Sequence, residues 1–215
     1  MTAKKNSAAG NTGVVTNILV VGIGGQGIMT AADVLSQAAL ALGYDVKKTE
    51  VAGMAQRGGV VTSHVRFGEK VFSPAIRPGD ADMMIAFEPA EALRWQSHLK
   101  PGAVAMVNDY PLKPPVVSIG LFDYPEAPLV QLAQSSVELH HFNAGEAAIK
   151  LGDRRLVNSI MLGAIADHLP FPPDILEQAL LNRFQRKGEA LTVLNRQAFT
   201  LGRRAFNKNN YSETA

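Results

Sequence analysis

Val20-Val21-Gly22-Ile23-Gly24-Gly25-Gln26-Gly27-Ile28-Met29-Thr30 is the stretch on which the fold turns. The apolar run Ile18 to Val21 leads into it, all β-branched residues or Leu, as expected of a strand covered on both faces. An apolar-periodic segment leads out of it as far as Gly43, with Ile28, Ala32, Leu35, Ala39 and Leu42 on one helical face. The reading is therefore strand, glycine turn, helix. Gly22, Gly24 and Gly27 keep the G-x-G-x-x-G spacing. Such glycines let a turn be sharp and let its backbone approach a ligand, and the helix start offers unpaired N–H groups to an anion. Two readings stay open: a turn that binds a ligand, and a turn needed only for strand–helix packing.

Working outward, Asp45 to Val51 reads as a second strand, which completes a unit of βαβ length. Glu50 lies 23 residues beyond Gly27 (50 − 27). A dinucleotide-binding fold places its ribose-binding acid about 20 residues on, so the spacing is compatible with NAD. A P-loop is excluded, because Ile28 stands where the Lys is required. The loop Gly53-Met54-Ala55-Gln56-Arg57-Gly58-Gly59 departs from an ordinary Rossmann unit. Its glycine pair suggests another close backbone approach. The planar fork of Arg57 suits a phosphate or carboxylate, while a strand-end cap or surface ion pair is the plainer role.

Val60 to Phe67 alternates as a strand with one more polar face, Gly68-Glu69 makes a turn, and Lys70 to Phe72 is expected to return as the second arm of an inserted hairpin. His64 reads as a strand-face histidine. No second His or carboxylate sits at a metal-ligand spacing from it, so no metal site is expected. Asp82 to Phe87 is a further buried strand that stops at Glu88-Pro89, followed by a helix from Ala90 to Leu99. Glu88 stands at the carboxyl end of its strand, where open α/β sheets hold ligands; stabilising the first helical turn is its plainer role. Trp95 reads as core.

Ala103 to Val107 is a strand, Asn108 to Pro115 a Pro-rich loop, and Val116 to Ile119 a short strand. Glu126 to Gln134 is a short helix, and Val137 to Phe142 a strand carrying His140 and His141. Helices then follow at Ala144 to Leu151, Leu156 to Leu169, Asp174 to Asn182 and Gly188 to Phe206. Asn158 interrupts an apolar helix beside Gly163, which points it at a partner or cofactor. The alternation implies an α/β, Rossmann-like doubly wound fold: a mostly parallel sheet with an inserted β-hairpin and a C-terminal helical region.

Composition narrows the function classes. The chain has 215 residues, 47% of them apolar, and a net charge of +2, enough for a real core and too little charge to argue for nucleic acid. It has no cysteine, so it holds no cluster by thiolate, forms no disulfide and uses no Cys nucleophile. It has no run of about 18 apolar residues, so no membrane span is expected. Residues 1–16 are polar and lack the apolar segment of a signal peptide; they are expected as a disordered lead-in, 17–206 as a single domain and 207–215 as a flexible tail. No His, Tyr–Lys or Ser–Tyr–Lys constellation lies near the strand ends, so no catalytic residue is expected. The setting expected is cytoplasmic.

Several motifs fall in one order: Gly22-x-Gly24-Gly25-Gln26-Gly27, then Glu50-Val51-x-Gly53-Met54-x-Gln56-Arg57-Gly58-Gly59, Val65-Arg66-Phe67-Gly68, Ala81-Asp82 through Phe87-Glu88-Pro89 with Glu91-Ala92-Leu93-Arg94, and Asn158-Ser159-x-Met161-Leu162-Gly163. Over residues 17 to 206 they resemble the gamma-domain family of the 2-oxoacid:ferredoxin oxidoreductases, most nearly its indolepyruvate-oxidising branch. The resemblance implies oxidative decarboxylation of a 2-oxoacid to an acyl-CoA, with electrons passed to ferredoxin. It implies that thiamine diphosphate, Mg and the iron–sulfur clusters sit on a partner, the alpha subunit, with CoA as co-substrate and an arylpyruvate as substrate. Gly79-Asp80-Ala81 is the nearest string to a thiamine-diphosphate motif and does not complete one. The chain is thus expected to be a subunit inactive alone. Its working surfaces are expected at Gly22, Gly24, Gly25, Gln26 and Gly27 and at Met54, Gln56, Arg57, Gly58 and Gly59, which offer backbone donors and one guanidinium to an anionic group, or close packing to a partner. The alternatives are a stand-alone NAD-binding oxidoreductase and a purely structural partner subunit.

Overall fold

The computed structural model describes residues 14–52, 59–113, 117, 120–121 and 123–212, the backbone alone at 52 and 206–212. The elements are β1 (Thr16–Ile23), α1 (Ile28–Ala41), β2 (Asp45–Ala52), β3 (Val60–Gly68), β4 (Ala81–Ala86), α2 (Pro89–Trp95), β5 (Leu99–Asn108), α3 (Pro128–Ala133), β6 (Glu138–Phe142), α4 (Ala144–Lys150), α5 (Val157–Ile165), α6 (Pro173–Gln185) and α7 (Glu189–Ser212). The six strands make one sheet in the order β2-β3-β1-β4-β5-β6. β1, β4, β5 and β6 run parallel, and β3 is antiparallel to both β1 and β2.

Strand β1 sits in the middle because it is apolar on both faces. Ile18 and Val20 enter the core that also holds Leu35 of α1, Leu156, Met161 of α5, Leu180 of α6 and Phe199 of α7. Leu19 and Val21 enter the opposite core, with Ala92 of α2 and Leu132 of α3. Helices therefore cover both faces, as the doubly wound reading expects. On α1 the buried stripe includes Ala31, Val34 and Ala38, while Leu42 is left 39% exposed past the helix end.

The hairpin is not where the turn chemistry of Gly68-Glu69 placed it. β2 pairs along its whole length with β3, from Asp45↔Gly68 to Ala52↔Val61, so residues 53–59 connect the two arms. Residues 70–72 form no strand. The chain from 70 to 76 instead crosses the polar face of β3. Ile76 N donates to His64 Nδ1 (3.0 Å), and Arg66 Nη1 donates to the carbonyls of Ser73 and Ala75 (both 2.9 Å). Thr62 and His64 are buried there, so the face that alternation marks as polar faces protein. The helix expected as far as Leu99 ends at Trp95, and β5 starts at Leu99 through a register irregularity against β4 that accommodates Pro101-Gly102. The helix expected from Leu156 to Leu169 is α5 with a short 3-10 turn at each end, and the last helix runs on past Phe206 to Ser212. The strand expected at Val116 to Ile119 lies outside the described residues except for Val117.

The C-terminal helices pack by backbone. A Cβ on Gly163 of α5 would come 2.8 Å from the carbonyl carbon of Phe199, and one on Gly202 of α7 would come 2.8 Å from that of Ile160. The two glycines bring α5 and α7 together closely enough for backbone to meet backbone, and that contact seats the helical region on the sheet.

Candidate functional site

The carboxyl end of the sheet carries a cleft of about 360 Å³. Its walls are the glycine turn after β1 (Gly24, Gly25, Gln26), the exit from β5 (Asn108, Tyr110, Leu112), and Gly145, Ile149, Arg154, Arg155 and Val157 around α4 and the start of α5. The volume falls in the range of small-molecule sites, about 300–1,000 Å³.

The glycine turn is largely satisfied by the protein itself. Gln26 folds back beneath it: its Oε1 accepts from Ile23 N (2.8 Å) and its Nε2 donates to Phe87 O (3.0 Å). Gly22 makes room for that, since a Cβ there would lie 2.8 Å from Gln26 Oε1 and 3.0 Å from Phe87 Cβ. Gly27 caps α1 with φ +83° and is overlain by Asn158, whose Nδ2 donates to Gln26 O (3.1 Å). Gly24 N donates to Gly59 O (2.8 Å), which ties the end of the 53–59 connection to the turn. Gly25 differs from these. It has φ +100°, and beyond its chain neighbours no atom of the described residues lies within 4 Å of where its Cβ would be, so it presents bare backbone to the cleft.

Of the residues named from sequence, the structure thus brings Gly22, Gly24, Gly25, Gln26, Gly27 and Gly59 together. Met54, Gln56, Arg57 and Gly58 lie outside the described residues. Asn158 does reach the turn, and its contact there is with the protein's own backbone. Glu50 is not at the turn. It is in register with Ser63, which pairs with Val20, so β3 stands between it and β1 at about 10 Å, two strand spacings. Its carboxylate accepts from Lys48 Nζ (2.6 Å). An acid that binds a dinucleotide ribose has to sit on the strand beside the glycine turn. The inserted β3 removes that adjacency, which argues against the NAD reading.

Sequence reasoning missed another wall of the cleft. Arg155 is chelated by Asp153, with Nη2 to Oδ2 at 2.7 Å and Nε to Oδ1 at 3.0 Å. Arg154 is exposed and forms no ion pair among the described residues, so the cleft mouth carries one uncompensated guanidinium. An adjacent Arg pair beside Asp reads as an ordinary surface patch, and only the fold brings it to the cleft that Gly25 lines. Tyr110 packs against α4 at Gly145, which has no side chain; a Cβ there would come 2.8 Å from the ring. Asn108 bridges the walls: Nδ2 donates to Phe87 O (3.1 Å) and Oδ1 accepts from Gly145 N (3.2 Å).

Glu88, flagged at its strand end, is wholly buried beside this cleft. Its Oε2 accepts from Glu91 N (3.0 Å), which caps α2 and realises its plainer role at the first helical turn, and its Oε1 accepts from Leu112 N (3.4 Å) and the Tyr124 hydroxyl. Burial, and then the hydrogen bond to Glu88, push the Tyr124 hydroxyl well above the usual phenol range. The neighbouring Glu91 carboxyl is pushed up by burial and held down by Arg94. Among the described residues no cluster of three metal-ligating side chains occurs, and no helix is long and apolar enough to cross a membrane.

Comparison with known proteins gives a consistent set of likenesses. Residues 17–205 match the family described as pyruvate ferredoxin/flavodoxin oxidoreductase. The indolepyruvate oxidoreductase subunit IorB of Pyrococcus horikoshii is 38% identical over 192 residues, 88% of this chain and 95% of its own length. The common gamma subunit of the pyruvate/ketoisovalerate oxidoreductases of Thermococcus litoralis is 26% identical over 147 residues, 67% of this chain and 73% of its own. The crystal structure of a keto/oxoacid ferredoxin oxidoreductase gamma subunit from Geobacter sulfurreducens superposes with a TM-score of 0.64 at 23% identity, covering 90% of this chain and 97% of that one. A 2-oxoglutarate:ferredoxin oxidoreductase from Magnetococcus marinus, solved with 2-oxoglutarate, coenzyme A and succinyl-CoA bound, superposes with a TM-score of 0.70 at 22% identity. This chain spans 90% of itself and 31% of that longer chain.

Proposed function

The chain belongs to the pyruvate ferredoxin/flavodoxin oxidoreductase family, and from that premise we propose what its cleft does. The protein is a non-catalytic subunit of a 2-oxoacid:ferredoxin oxidoreductase complex, a reading its relatives, named as oxidoreductase subunits, support. Within that complex, our reading gives it an alpha subunit as partner, which carries thiamine diphosphate, Mg and the iron–sulfur clusters. The 2-oxoacid is an arylpyruvate, the acceptor is ferredoxin, and the setting is the cytoplasm. Residues 17–206 act as one domain, with 1–16 and 207–215 outside it.

The cleft receives the phosphate-bearing end of CoA. The observation that carries this is that Gly25 and Arg154 line the same cleft at the carboxyl end of the sheet. Bare backbone at the one allows a phosphate to come close, and an unpaired guanidinium at the other offers it two parallel hydrogen bonds. Tyr110, Leu112, Ile149 and Val157 supply apolar wall for the rest of the nucleotide. The longer fold neighbour solved with CoA bound supports the ligand class. The site takes in Gly22, Gly24, Gly25, Gln26 and Gly27 and extends toward Met54, Gln56, Arg57, Gly58 and Gly59, whose connection is tied to the turn through Gly59 O.

The test is reconstitution with the alpha subunit and arylpyruvate-dependent reduction of a low-potential acceptor. Activity is expected only with both chains present. Arg154→Ala is expected to raise the KM for CoA by about tenfold, the worth of one charged hydrogen bond, with kcat and the KM for arylpyruvate unchanged. Full activity from the alpha subunit alone overturns the subunit reading. An unchanged KM for CoA leaves the chain a structural partner only.

A further inference from the structure

We propose that Glu88 is the positioning residue of the cleft, a buried carboxylate that fixes the Asn108–Leu112 wall and so sets the affinity for the ligand; this rests on the reading of the cleft as the CoA site.

A helix cap needs one oxygen, and Glu88 Oε2 supplies it to Glu91 N. Capping gives no reason to bury the carboxylate completely, since desolvating a charge is unfavourable unless hydrogen bonds replace the water. Here they do, and they come from far along the chain. Oε1 accepts from Leu112 N, 24 residues on, and from the Tyr124 hydroxyl, 36 residues on. One oxygen therefore pins the segment leaving β5 and the segment returning toward α3. Leu112 is itself a cleft residue.

The preceding residue does the same for the other walls. Phe87 O accepts from Gln26 Nε2 (3.0 Å), under the glycine turn, and from Asn108 Nδ2 (3.1 Å), whose Oδ1 in turn holds Gly145 N (3.2 Å). The glycine turn, the exit from β5 and the start of α4 are thus hydrogen-bonded, directly or through Asn108, to the Phe87-Glu88 dipeptide that follows β4. The Tyr124 hydroxyl stays protonated through the physiological range because burial and the adjacent carboxylate both oppose its ionisation, so it remains a donor to Glu88.

Tyr124→Phe removes one donor and leaves the ring, and Glu88→Gln keeps an acceptor while removing the charge. Each is measured in the reconstituted complex beside Arg154→Ala. Amide exchange at Leu112 is followed in the isolated full-length chain. Tyr124→Phe is expected to raise the KM for CoA about three- to tenfold, the range of one hydrogen bond, and to speed exchange at Leu112, with kcat and the arylpyruvate KM unchanged. Glu88→Gln is expected to show the same split with a smaller rise. If Arg154→Ala raises the CoA KM and neither Tyr124→Phe nor Glu88→Gln does, the positioning role is wrong and the cleft reading stands. If none of the three moves it, both fall. Unchanged exchange at Leu112 in Tyr124→Phe also refutes the proposal, whatever the kinetics.

Discussion

Replacing Gly27 by Ala tests the contact between the glycine turn and α5. Gly27 has φ +83°, and a Cβ there would overlap the Asn158 amide, with Cγ only 3.0 Å away. Two penalties follow. Holding a non-glycine residue in the left-handed region costs about 1–2 kcal/mol. Swinging Asn158 aside breaks its donated bond to Gln26 O, about 1 kcal/mol more. The sum is about 2–3 kcal/mol, or about 4–12 °C in melting temperature for a chain of this size. Asn158→Ala alone is expected to be mild. It loses the same bond but removes Oδ1, a buried acceptor without a hydrogen-bond partner among the described residues. In the Asn158→Ala background Gly27→Ala should carry only the backbone penalty, which gives a coupling of about 1 kcal/mol in a double-mutant cycle. Denaturant unfolding of the isolated chain measures all four corners. If Gly27→Ala is equally destabilising with and without the Asn158 side chain, the two residues do not touch and the account of the turn is wrong.

Gly163→Ala should be among the more destabilising single-methyl changes, about 3 kcal/mol at the upper end of overpacking, because the methyl meets Phe199 backbone that has no rotamer to yield; a thermal melt checks it against Ala164→Gly as a size-matched control. Asp45 is held at about 2 by Lys47 and the Val71 amide, below its ordinary 3.8. A depressed carboxyl gives stability that is present above about pH 4 and lost as pH falls toward 2. Asp45→Asn should therefore flatten that part of the acid limb of a stability–pH curve, and an unchanged limb contradicts it. Burial lowers His64 below its ordinary 6.5. The folded state then resists protonation more than the unfolded chain does, so stability is full above about pH 6.5 and falls below it. His64→Asn should weaken the fall in melting temperature between pH 7 and 5, and the same fall in the variant refutes the assignment.

Much of the fold was legible because it rests on local signals. The Ile18–Val21 run, the glycine spacing and the stripe on α1 each follow from neighbours in sequence. Pairing was less legible. Gly68-Glu69 looks like the hairpin turn, yet the connection that joins paired strands is 53–59, chosen by the long register of β2 on β3. The turn at Gly68-Glu69 instead sends the chain across β3, an outcome set by Arg66 and His64 finding backbone partners at 73–76. In the cleft the turn side was visible and Asn158 stood out as a polar residue in an apolar helix. Arg154, Tyr110 and Tyr124 gave no signal, because each matters through a contact made far along the chain. Glu50 gave a false signal: its distance in sequence was right, and the strand inserted between it and β1 was invisible to spacing.

The central place of β1 also shapes the order in which the chain acquires structure. β1 comes first among the described elements, yet its two neighbours arrive later: Ile18 pairs with Val65 on one side and with Met83 on the other. Until residues near 68 have emerged from the ribosome, β1 and α1 have no sheet to join, and β1 keeps one bare edge until β4 follows. Pairings this distant close slowly, and a waiting apolar strand with a bare edge is prone to association. Nascent chains stalled before β4 should therefore depend on chaperones, and those released after β5 should not.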